Sequence, residues 1–263
     1  MLPIKKIYID TGFKTTDSMS NSSFKIQLPI SYHFPKSTVF FIENFVCAHA
    51  WYSIEQNIND TLFMVINGIN HNIKLQSKNY TGDTFAVEIQ SKLNAIAPNT
   101  FSVIFDSTRN NISIGVINST TFKVLTNTDL KSTYGVEDAK STNDILQNYD
   151  YPSPVYSIHK PFVSGFLSLL GIRNLYLTSP NLSKFTTFGG NGESNIIKKV
   201  PVSSDFGYLI VETFASDNDW LDCSGLTINC LEFQLRDVKG NIVPLHGSNV
   251  SFSIVFSKVN LDE

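Results

Sequence analysis

Residues Leu226–Phe256 read LTINCLEFQLRDVKGNIVPLHGSNVSFSIVF, two strand-like runs joined by a polar turn. In the first run Leu226, Ile228 and Cys230 alternate with polar partners, and the phase then slips by one to Leu231, Phe233 and Leu235. In the second, Val250, Phe252, Ile254 and Phe256 alternate with Ser251, Ser253, Val255 and Ser257. Period-2 alternation over this length predicts strands with one buried face. A one-residue slip is what a β-bulge produces, and it places the bulge at Cys230-Leu231 with Cys230 in the core. The chain therefore closes in sheet, with no room here for a catalytic apparatus.

The rest of the composition agrees with sheet. The 263 residues suffice for one large β-domain or two small domains. Twenty Phe and ten Tyr against three Met favour strands over helices. Charged residues make up only 16% of the chain, so Asn, Ser and Thr supply most of the polar surface. The net charge is −3, and Lys5-Lys6 and Lys198-Lys199 are the only adjacent basic pairs. That argues against nucleic-acid binding through a dense basic footprint. Cys47, Cys223 and Cys230 are an odd count at spacings unlike a disulfide framework, which predicts reduced, mostly buried thiols and an intracellular assembly site. The opening MLPIKKIYID lacks the apolar stretch of a signal peptide, and no run is long enough to span a membrane. Sequons at Asn79, Asn118 and Asn249 read as chance in an Asn/Ser/Thr-rich chain.

Working back towards the N-terminus, Leu175–Leu177, Ile196-Ile197, Val200–Val202 and Tyr208–Val211 have strand character. So do Phe24, Ile26 and Leu28, which Pro29 closes, and Thr38–Ile54, an aromatic and β-branched run with a bend near Glu43-Asn44. Leu62–Ile66 and Ile73–Leu75 predict a hairpin across Asn67-Gly68, a dipeptide that tolerates positive φ. Phe85, Ile89, Leu93 and Ile96 then recur at helical spacing, with Thr81 or Asp83 as cap and Pro98 beyond the end. A second hairpin sets Phe101, Val103 and Phe105 against Ile112, Ile114 and Val116. Residues 127–165, marked by Pro152, Pro154 and Pro161, read as long loops. Residues 185–194, FTTFGGNGES, read as an exposed flexible loop.

Several constellations could carry chemistry, and each has a plainer reading. Gly189-Gly190-Asn191-Gly192 lacks the Lys-Ser/Thr that a phosphate loop needs before a helix, so it reads as a strand connection. Asp217, Asp219 and Asp222 could gather oxygen ligands for a cation. They lack EF-hand spacing, and a solvated turn is the default. Cys47 and His49 share a strand face as i and i+2, but no orienting Asn or Asp can be assigned, so a nucleophile pair is weak. Cys223, Cys230 and His246 form no paired zinc-ligand unit. Ser22-Ser23-Phe24-Lys25 matches a bare SxxK without its companion motifs. No enzyme emerges: no catalytic residue, cofactor site or metal site is assigned.

Three stretches, taken in order, carry a family likeness. The first is IYIDTGFKTTDSMSNSSFKIQLP with the run ending FVCAHAWYSI. The second is KLQSKNYTGDTFAVEIQSKLNAI with FSVIFDSTRNNISI and the later FLSLLGIRN. The third is LYLTSPNLSKFTTFGGNGESNIIKKVPV leading into the terminal strands. Together they cover most of the chain. Their order resembles that of the penton, or minor capsid, proteins of virophages and of Polinton-Maverick and adintovirus-like elements. The resemblance implies an all-β chain, a single jelly-roll β-sandwich with a small inserted α+β domain. Opening strands would fall in 1–78, an inserted helix-plus-hairpin domain and loops in 79–169, and closing strands in 170–263. It also implies a homopentamer at the fivefold vertices of an icosahedral capsid, beside a double jelly-roll major capsid protein. Such a protein belongs to the virion and is assembled inside the host cell, with a host receptor or glycan as a further partner to test. The alternative is a jelly-roll carbohydrate- or receptor-binding module, in which Trp51, Tyr151, Tyr156 and Trp220 would stack on sugars.

Overall fold

The computed structural model describes residues 3–137, 139–182, 185, 187–189, 194–213 and 219–258. In chain order its elements begin with β1 (Pro3–Asp10), β2 (Ser23–His33), β3 (Thr38–Ala48), β4 (Thr61–Ile66) and β5 (Ile69–Lys74). Next come α1 (Gly82–Ile96), β6 (Phe101–Asp106), β7 (Asn111–Val116), β8 (Phe122–Val124), α2 (Asn127–Tyr134), α3 (Asn143–Leu146) and β9 (Phe162–Val163). The chain closes with β10 (Asn174–Thr178), β11 (Ile196–Pro201), β12 (Leu209–Glu212), β13 (Leu221–Asp222), β14 (Thr227–Arg236) and β15 (Val250–Lys258). They form two compact units, Met1–Trp51 with Ile172–Glu263, and Tyr52–Gly171.

The first unit is built from two antiparallel sheets ordered β1-β15-β3-β12 and β11-β10-β14-β2, with the short β13 also on β3. The first strand pairs with the last, the second with the next to last, and the third with β12, while β10 pairs with β11. That is a long hairpin rolled over onto itself, the jelly roll. Rolling sends successive strands to alternate sheets, so each strand must bury one face against the other sheet. Phe233 on β14 and Phe252 on β15 meet edge-on across the two sheets, with ring centroids 4.9 Å apart. Phe24 extends the contact on one side at 5.4 Å and Phe45 on the other at 6.2 Å. Nearer the opposite end Phe34 stacks on Phe256 at 4.3 Å. Lysines close both open sides of the sandwich. Lys5 Nζ lies 4.3 Å from the Tyr32 ring centroid, between β1 and β2. Lys198 Nζ on β11 bonds Asp219 at 3.1 Å.

Two bulges shape the long strands. Ser253 faces Asn44 and Ile254 faces Ile42, so Glu43 is the extra residue and the expected bend falls within one strand. The bulge expected at Cys230-Leu231 lies elsewhere, between Ile228 and Cys230, and the surplus residues belong to β2. Ile228 faces Tyr32 and Cys230 faces Gln27, so residues 28–31 oppose Asn229 alone. Pro29 is the physical reason, because it has no N–H to give to the ladder. Gln27 Nε2 donates instead to Asn229 O at 2.9 Å. The slip therefore comes one residue early and turns Cys230 outward. It is half-buried rather than a core residue.

The second unit starts at Tyr52, not at residue 79, and ends at Gly171. The β4–β5 hairpin pairs with β8 rather than with the sandwich. Period 2 shows that a strand buries one face but not which partner covers it. The hairpin is closed by Asn67 (φ 47°) and Gly68 (φ 82°), the two positive φ values of a type I′ turn. The β6–β7 hairpin has the expected register, Phe101 to Val116 and Phe105 to Ile112. Helix α1 is capped by Thr81 in a reciprocal box with Thr84 and buries Phe85, Ala86, Ile89 and Leu93. Ile96, expected on that face, is 38% exposed at the last turn.

Residues 127–165 are not only loop: they contain α2, α3 and β9. Helix α2 has a single buried apolar residue, Leu130, so no periodicity announced it; its ends are set by a capping box at Thr126 and by Gly135 at φ 67°. The buried Asp129 carboxylate holds this region together. It accepts from Thr126 N at 3.0 Å, Thr126 Oγ1 at 2.7 Å, Ser153 N at 3.3 Å and the Ser153 hydroxyl. Burial pushes the Asp129 carboxyl up, but the bonds from Ser153 and Thr126 outweigh it and hold it below the usual carboxylate range.

Two stability predictions follow from these contacts. Phe233→Ala removes a fully buried ring from both sheets and should destabilise the sandwich by about 3–5 kcal/mol in urea unfolding. Asp129→Ala should cost about 1–3 kcal/mol by stranding buried donors. The pH dependence has a definite sign. A carboxyl depressed in the folded state stabilises above its unfolded value, near about 4. That stability should drain away as pH falls through and below this value in the native chain, and Asp129→Ala should lose this part of the acid sensitivity.

Candidate interaction surface

The chain segment between β1 and β2 is laced to the connection between β14 and β15. Thr11, fully buried, donates to Asn249 Oδ1 at 3.2 Å and accepts from Val250 N at 3.0 Å. Asn21 Nδ2 reaches Gly247 O and Ser248 O at 3.0 Å, and the Ser22 hydroxyl donates to Val243 O. Short polar side chains do this because both segments are irregular and their backbone groups need partners. The result is a braced platform from which Phe13 and Met19 project, 83% and 89% exposed.

The outward face of the β1-β15-β3-β12 sheet exposes large apolar side chains on its two edge strands. On β1 the inward phase holds Ile9 and the outward phase holds Tyr8, 75% exposed. On β12 Ile210 is buried while Leu209 and Val211 are 62% and 52% exposed. Between these rims the outward residues Ser253, Val255 and Ser257 of β15 are buried. Lys6, opposite Val255, and Glu43, at the β3 bulge, stand on the strands flanking β15 and form an ion pair. The hydrogen bond that Lys6 donates to Glu43 raises the Lys6 pKa. Sequence reasoning missed Tyr8, Leu209 and Val211 as surface residues. The available signal was Leu209-Ile210-Val211, a strand apolar on both phases, which reads as doubly buried when its partners are unknown.

The structure keeps the chemical candidates apart. Cys47 is buried, and desolvation pushes its thiol up to about 12. His49 does not serve it: His49 Nδ1 bonds Ser204 O at 2.8 Å and its ring lies 4.4 Å from Trp51. Cys223 is buried with Sγ 3.5 Å from Thr38 O, Cys230 is half-buried beside Glu232 and Lys25, and His246 is exposed. Ser22 points inward to Val243 O, while Lys25 pairs with Asp17 and Glu232, each at 3.2 Å. Asp219 pairs with Lys198, and Asp222 accepts from Ser224 N at 2.9 Å, so these two carboxylates serve different turns. Asp217 lies outside the described residues, as do Gly190, Asn191 and Gly192. Among the described residues no three His, Cys, Asp or Glu side chains gather as a metal site. Among the described residues no helix is long and apolar enough to cross a membrane. Of the four aromatic candidates, Trp51 and Tyr156 are buried, Trp220 is half-buried edge-on to Phe41 at 4.4 Å, and Tyr151 is 54% exposed.

With the topology established, the chain can be set beside known proteins. Its fold is similar to that of a solved viral penton protein. The structure is similar to that of the selenomethionine-labelled mavirus penton protein, with a TM-score of 0.52 at 10% identity. The likeness covers 97% of this chain and 100% of the mavirus chain. No protein-family model matches the sequence, and no curated protein matches it either. At that identity the likeness is one of fold.

The thiol environments give a direct check. In the native chain at pH 8, iodoacetamide should modify Cys230 first, with Cys47 and Cys223 protected until the protein is unfolded in urea. Peptide mass spectrometry reads the order. Early modification of Cys47 would contradict its burial.

Proposed function

We propose that this chain is a minor capsid protein of penton type, a homopentamer that closes the fivefold vertices of an icosahedral virion. The observation that carries this reading is the jelly-roll order of its sheets, with a folded unit inserted between β3 and β10. The whole chain is also similar to a mavirus penton protein. Jelly rolls suit shells because most sheet edges are protected by closure while the outer faces and end loops remain for lateral contacts. A ring of identical copies needs a heterologous interface, in which two different patches of one surface meet. In this reading its neighbours are double jelly-roll major capsid proteins, it assembles inside the host cell, and it catalyses no reaction. The separation of Cys47 from His49's hydrogen bond and the split carboxylates support the last point.

The test is native mass spectrometry of the purified chain followed by electron cryomicroscopy of particles. The expected mass is five times that of the 29.4 kDa chain, with density matching the sandwich at the fivefold vertices. A chain that stays monomeric at all concentrations and binds a defined glycan would replace this reading with a carbohydrate-binding module.

A further inference from the structure

We draw no further inference here: the strongest candidate, the outward face of the β6-β7-β9 sheet in the second unit, where Ile104 and Val163 lie exposed on either side of Ser113, is an apolar face and nothing in the structure shows what covers it.

Discussion

The first unit depends on the contact between Phe233 and Phe252, where the last two long strands press their buried faces together from opposite sheets. A jelly roll has no helix to cover either sheet, so each sheet is the only available cover for the other. Every other feature of the sandwich serves that requirement. The aromatic chain from Phe24 to Phe45 fills the space between sheets, the bulges at Glu43 and opposite Asn229 bend long strands around it, and Lys5 and Lys198 close its sides.

The same requirement explains why the outer surface is informative. Once the inward phases of β1, β3, β12 and β15 are used for the core, the outward phases are available for other purposes. Ser253, Val255 and Ser257 are small and covered, whereas Tyr8, Leu209 and Val211 are large and bare. Large apolar side chains exposed on an outer sheet face are what an interaction surface presents. In the interior and the turns, by contrast, the thiol of Cys47 is desolvated, His49 Nδ1 bonds Ser204 O, and Asp222 accepts from Ser224 N.

Much of the architecture was legible in the amino-acid order. The terminal strands, the Asn67-Gly68 hairpin, helix α1 and the β6–β7 register all follow from local periodicity and turn chemistry. Helix α2 was not legible, because a capping box and one buried leucine leave too short a pattern. Neither was the start of the inserted unit, since β4 and β5 alternate as a sandwich strand would. The outward Cys230 was hidden by the bulge, whose cause, Pro29, stands on the partner strand some two hundred residues away in sequence.

The sequence by itself determined that this chain is built from half-buried strands and where its tight turns lie. Only the tertiary structure decided which strands share a sheet, where the inserted unit begins and which outward residues stay exposed. The reason is physical. Alternation is a local property of one strand and records that a face is buried, while pairing, register and exposure are properties of two strands that meet only in the folded chain.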